Sequence, residues 1–231
     1  MKQIVLLLGI IGALLYSNWL LGYWLNSRVA IGGLASNLQI HGQPYSWVFV
    51  LGDVLSGLVI TVAAYFIYMI SQQRDQLTVL MIGGYLCFGV LTAISALLPL
   101  HCGTNPSQCA VNNFQPLGIH DAIGGVASFG QFISLIAVWR LNAKLQLSQW
   151  FKWLTASLLL TWSASGILYL VLTFTKGNVV LPQHIFLALT FIGIIIVPLF
   201  VFLERSNLYS GGYNSIRRGG KNEGLFSRLK A

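Results

Sequence analysis

The chain alternates between long apolar blocks and short polar ones. Six segments, 4–25, 47–70, 77–100, 117–139, 153–174 and 183–203, contain no Lys, Arg or Glu, and each is 21 to 24 residues long. At about 1.5 Å per residue, a helix of that length crosses a hydrocarbon core of roughly 30 Å. The pattern therefore predicts an all-α, polytopic integral membrane bundle of six transmembrane helices. The first block could be misread as a secretory signal, because Lys2 precedes it. Its length, the polar Asn18 beside Trp19, and the lack of a small-x-small cleavage site favour a retained span.

The polar blocks divide the rest. Segment 26–46 carries Gly32, Gly33, Gly42 and Pro44 and is expected to be a loop; 101–116 is the next longest connection before the tail. On the other side, 71–76 is a short turn. The stretch 140–152 is expected to lie amphipathically at the interface, with Leu145, Trp150, Phe151 and Trp153 at the lipid boundary. Residues 1–205 form one domain. The tail 206–231 is polar, glycine-rich and basic, a composition expected to be disordered.

Composition sharpens the class. With 56% hydrophobic residues, 8% charged and a mean hydropathy of +0.75, the chain excludes a soluble fold, in which about a quarter of residues carry charge. Charge also sets an expected topology. With the N-terminus in the cytoplasm, eleven of the thirteen basic residues fall on the cytoplasmic side, and only Arg28 and Lys176 lie outside. Six spans return the C-terminus to the cytoplasm. The formal charge of +8 then reads as topology and attraction to anionic headgroups at the cytoplasmic face. No nucleic-acid partner is expected, because the basic residues are scattered without a recognition motif. The expected location is the bacterial cytoplasmic membrane, multi-pass, with membrane lipids as neighbours.

Ionisable side chains are distributed unevenly within this frame. His41, His101, His120 and His184 all fall on the expected outer side, as do Asp53 and Asp121, the acidic residues inside the spans. Counting along the helices, Asp53 lies roughly 9 Å and Asp121 roughly 6 Å below the start of its own span. A carboxylate in hydrocarbon costs at least about 2.5 kcal/mol unless paired or hydrated, so both are expected to face the interior, with histidines as partners. Spacing agrees on span two for Asp53, Ser56, Gly57 and Ala64, and on span four for His120, Gly124, Ser128 and Gln131. Ser157, Thr161 and Ser165 on span five are expected at a helix contact. Cys102 and Cys109, separated by turn-forming residues in an outer loop, are expected to form a disulfide, and Cys87 to be a packing thiol.

The site candidates are thus Asp53, His120 and Asp121 as catalytic groups, with His101, His120 and His184 as metal ligands. Imidazole and carboxylate donors suit zinc, which can activate a water, although no H-E-x-x-H motif is present. A His/Asp pair can equally relay protons or recognise a polar headgroup without metal. A bis-histidine haem is disfavoured, because all the histidines sit at one end.

The stretch ASNLQIHGQPYSWVFVLGDVLSG, then PLHCGTNPSQC and GIHDAIGGVASF, resembles the bacterial six-span membrane proteins of domain-of-unknown-function family 998. Ser36, Leu38, Gly42, Pro44, Asp53, Cys102, Cys109, His120 and Asp121 carry the likeness, which covers roughly residues 1–205; Asn37 stands where the family pattern has an acid. The resemblance implies the six-span fold and this residue set but no reaction. A looser similarity to eukaryotic six-span proteins of lipid remodelling points to lipid chemistry. Three expectations follow: a lipid-modifying hydrolase or transferase, a ligand-binding or proton-linked transport protein, or a membrane scaffold.

Overall fold

A computed structural model describes residues 1–71, 75–98, 118–146, 148–175 and 178–226, with side chains as far as Glu204. Among these residues every regular element is helical. In chain order they are α1 (Lys2–Tyr16), a 3-10 helix (Ser17–Leu21), α2 (Gly22–Leu25), α3 (Ser27–Gly32), a second 3-10 helix (Ala35–Gln39) and α4 (Ser46–Ile70). Then follow α5 (Gln76–Leu97), α6 (Ile119–Leu145), α7 (Gln149–Phe174) and α8 (Val180–Phe226). Among the described residues six helical segments are long and apolar enough to cross a membrane: Lys2–Leu25, Ser46–Ile70, Gln76–Leu97, Ile119–Leu145, Gln149–Phe174 and Val180–Glu204.

The helices pack in a ring that closes on α8. α1 lies against α4 and α8, α4 against α5, α5 against α6, and α7 against α6 and α8. The apolar part of α8 is the most hydrophobic span, consistent with its contacts to α1, α4, α6 and α7. Two crossings are so close that only glycine fits. A Cβ on Gly57 would stand 2.5 Å from the Gly89 carbonyl oxygen, and one on Gly130 would stand 2.9 Å from that of Gly84. Small residues let helix backbones approach where lipid supplies no hydrophobic drive for association.

Hydrogen bonds across the bundle satisfy polar groups that lipid cannot. The Ser56 hydroxyl donates to the Gly12 carbonyl at 2.8 Å, and Ser134 to the Met81 carbonyl at 2.8 Å. Pro198 sits inside α8 without an N–H, so the carbonyl of Ile194, four residues earlier, loses its helical donor. The Tyr85 hydroxyl donates to that carbonyl at 2.9 Å, and the Tyr85 side chain is fully buried. At the opposite end from the site described below, Asp75 caps α5 through Thr78 and pairs with Lys144 at 2.6 Å. The Lys144 ammonium and the Thr78 donor hold the Asp75 carboxyl down at about 2.

Several expectations change. The first span is not one continuous α-helix, since its last third tightens into the 3-10 turn at Ser17–Leu21. Segment 26–46 is not an open loop. Its two short helices enclose a small core of Val29, Ala30, Leu38 and Phe49, with Gly42 turning the chain at φ 90°. The stretch 140–152 does not form an interfacial segment of its own, because α6 runs on to Leu145 and α7 starts at Gln149; Phe151 is 1% exposed and packs on Phe200, while Trp150 and Trp153 remain exposed. On α7 the contact face is Thr155, Leu158, Trp162 and Ser165, which puts Ser157 and Thr161 outside, where Thr161 bonds back to the Ser157 carbonyl at 2.8 Å.

Candidate functional site

Asp53 arrives at the interior on the second turn of α4, and the elements before it in the chain supply its partners. The 3-10 turn after α1 buries Asn18, whose amide donates to Asp53 Oδ1 at 2.7 Å and to the Phe49 carbonyl at 3.3 Å. Gly52 makes this reach possible, because a Cβ there would overlap the Asn18 amide. The second 3-10 helix ends on Gln39, whose Nε2 donates to Asp53 Oδ2 at 2.5 Å. Both carboxylate oxygens are therefore held by neutral amide donors. Among the described residues the partners of the Asp53 carboxylate are these two amides of the cap and not the histidines expected for the role.

His120 and Asp121 open α6. The Asp121 carboxylate accepts from the Gly118 backbone N–H at 3.2 Å, which satisfies one of the unpaired donors of the helix start. His120 Nδ1 lies 2.8 Å from the Ser95 carbonyl at the end of α5. A carbonyl can only accept, so Nδ1 carries a proton and donates it to this bond. The Ser95 hydroxyl closes the link by donating to the His120 carbonyl at 3.2 Å.

Asp53, His120 and Asp121 line one cavity of about 610 Å³. The rest of its wall is largely apolar and aromatic, with Tyr16, Trp19, Phe88, Phe132 and Trp162 prominent. Gly125 and Phe129 of α6, with Ile167 and Leu170 of α7, line the cavity and are also exposed at the surface of the bundle. Among the described residues, the wall between α6 and α7 is thus a part of the lining that is not closed off by packing. A Cβ on Gly125 would meet nothing within 4 Å among the described residues, which marks open space at that wall. Gln183 of α8 also lines the cavity and accepts from the Ala35 N–H at 2.8 Å, tying the cap to the bundle.

The remaining candidates are placed elsewhere. His184 stacks on Trp19, with centroids 4.9 Å apart and planes at 8°, and is not part of the cavity wall. His41 is exposed in the cap. His101, Cys102 and Cys109 lie outside the described residues. Cys87 is a free thiol that packs where Gly130 leaves room. Among the described residues no three His, Cys, Asp or Glu side chains come together as a metal-binding group. Asn18, Gln39, Ser95 and Gln183 escaped the sequence reading. Asn18 and Gln183 carried a signal, as amides within apolar blocks. Comparison with protein-family models, with curated proteins and with solved structures finds no match to this chain.

Proposed function

We propose that this multi-pass membrane protein takes an amphipathic, lipid-class molecule from the bilayer into the cavity and holds its polar end at Asp53, His120 and Asp121. The observation that carries the reading is the shared cavity. Asp53 of α4, with His120 and Asp121 of α6, lines the same space as a predominantly apolar and aromatic wall. Ligand pockets commonly combine apolar walls with a few placed polar groups. The opening between α6 and α7 supports entry from the side, where a lipid tail already resides. The excess of basic residues in the connections at the other end supports an outer-leaflet position for this end of the bundle. Membership of domain-of-unknown-function family 998, carried by the motifs quoted above, is part of the same proposal.

A second reading, a lipid hydrolase, is favoured by one specific feature. The Nδ1 bond to the Ser95 carbonyl orients the His120 ring in a cavity that Asp121 also lines, an arrangement suited to a general base with its carboxylate neighbour. Zinc assistance would need a further ligand such as His101, which the described residues do not supply.

The test is the lipid content of protein extracted in native membrane discs. A molecule enriched over the bulk lipid in wild type is expected to be depleted in Gly125→Phe, which fills the side opening. Its depletion in Asp53→Asn is expected as well. Identical lipid profiles in wild type and Gly125→Phe overturn the binding reading and leave a scaffold. Product formation on incubation, lost in His120→Ala, distinguishes the hydrolase from a binding or transport protein.

A further inference from the structure

We infer that the cavity selects a hydrogen-bond-donating cation, a primary ammonium group carried on an apolar chain. This deepens the lipid-binding proposal and rests on it. Charge comes first: the described cavity wall carries Asp53 and Asp121 but no Lys or Arg. Asn18 and Gln39 solvate the Asp53 carboxylate without neutralising it, because an amide has no net charge. A carboxylate within a span is costly unless a partner is found, and a ligand cation is the partner that the wall lacks. An anionic headgroup would face repulsion from both acids.

The aromatic wall agrees with the charge. Tyr16, Trp19 and Phe88 share the cavity with Asp53, and ring faces attract a cation more strongly where water is excluded. Trp19 is fixed in place by the stacked His184 ring. Hydrogen-bonding capacity narrows the choice among cations. The carboxylate retains acceptor capacity beyond its two amide donors, since an ionised carboxyl offers about four lone-pair sites. Gln39, its Nε2 committed to Asp53, has Oε1 buried without a hydrogen-bond partner among the described residues. Leftover acceptors call for a donor. A primary ammonium has three N–H groups, whereas a quaternary ammonium has none.

The same ammonium occurs on a plain long-chain amine and on an ethanolamine phospholipid, and the two are separable. Binding is measured on the full chain in zwitterionic nanodiscs, by calorimetry and by thermal shift. The probes are dodecylamine, dodecyltrimethylammonium, dodecanol, dodecyl phosphate and a short-chain phosphoethanolamine lipid. Dodecylamine is expected to bind at least about tenfold more tightly than dodecanol, equivalent to about 1.4 kcal/mol, with dodecyl phosphate weakest. The trimethyl analogue is expected between amine and alcohol. Binding of the phosphoethanolamine lipid at the amine's strength identifies a phospholipid headgroup as the source; weaker binding identifies a free amine. Asp121→Asn, at the start of a helix, is expected to fold and to lower the preference. Asp53→Asn is expected to abolish it.

Equal affinity for dodecylamine and dodecanol in wild type overturns the charge inference and leaves the cavity reading intact. If no probe binds and Gly125→Phe changes nothing, both fall.

Discussion

Tyr85→Phe probes the structure at its most constrained hydrogen bond. The substitution keeps the ring and removes only the hydroxyl that serves the Ile194 carbonyl at 2.9 Å. Nothing replaces that donor, because Pro198 has no N–H and the Tyr85 side chain is 0% exposed. A buried acceptor left unsatisfied costs about 1–3 kcal/mol in proteins generally. Interhelical hydrogen bonds in membranes average about 0.6 kcal/mol, because the separated helices also find partners. A loss of about 1–2 kcal/mol is expected, since a proline-exposed carbonyl has no alternative donor within its own helix. Equilibrium unfolding in mixed micelles measures it, and a double-mutant cycle isolates it. Pro198→Ala returns an N–H four residues after Ile194, so the cost of Tyr85→Phe is expected to shrink in that background. The packing lost between Pro198 and α1 is common to both arms and cancels. An equal cost in both backgrounds would refute the account.

Other outcomes follow from single contacts. Gly52→Ala places a methyl group in the space of the Asn18 amide, so the Asn18–Asp53 bond is lost, with about 1–3 kcal/mol of destabilisation and reduced retention of any bound lipid. Thermal denaturation and lipid mass spectrometry together check it; wild-type behaviour in both counts against the site geometry. Gly57→Ala is expected to destabilise by a similar amount, because its Cβ meets the Gly89 backbone, whereas Gly83→Ala meets nothing and is expected to be neutral or to gain up to about 1 kcal/mol. Reversal of that order in unfolding experiments would exclude the proposed α4–α5 crossing. The Asp75 carboxyl is lowered from 3.8 to about 2, so its contribution is complete above about pH 4 and is lost as pH falls toward 2. The stability difference between wild type and Asp75→Asn is expected to fade across that window, and a difference unchanged down to pH 2 speaks against the Lys144 link.

The membrane class and the spans were legible because each is a local property. An apolar block without charge has one stable state in a bilayer, a helix that satisfies its own backbone. The predicted boundary at 47–70 agrees with Ser46–Ile70, and 77–100 begins one residue from Gln76–Leu97. The inward face of span two was equally readable, since Ser56, Gly57 and Ala64 are buried at helical spacing. On span five the same small-residue rule failed for Ser157 and Thr161. A hydroxyl that bonds to its own helix can face lipid as easily as a neighbour.

Residue type and position along the chain mark the side chains that cannot remain alone in an apolar setting, and so single out Asp53, His120 and Asp121. What stands beside them emerges only in the folded bundle. Asn18 and Gln39 reach Asp53 because a 3-10 turn and a folded cap converge over α4, and Ser95 meets His120 because α5 ends beside the start of α6. The cost of burying charge belongs to a residue and can be read along the chain. The identity of the group that offsets it depends on which backbone segments meet, and no local pattern carries that information.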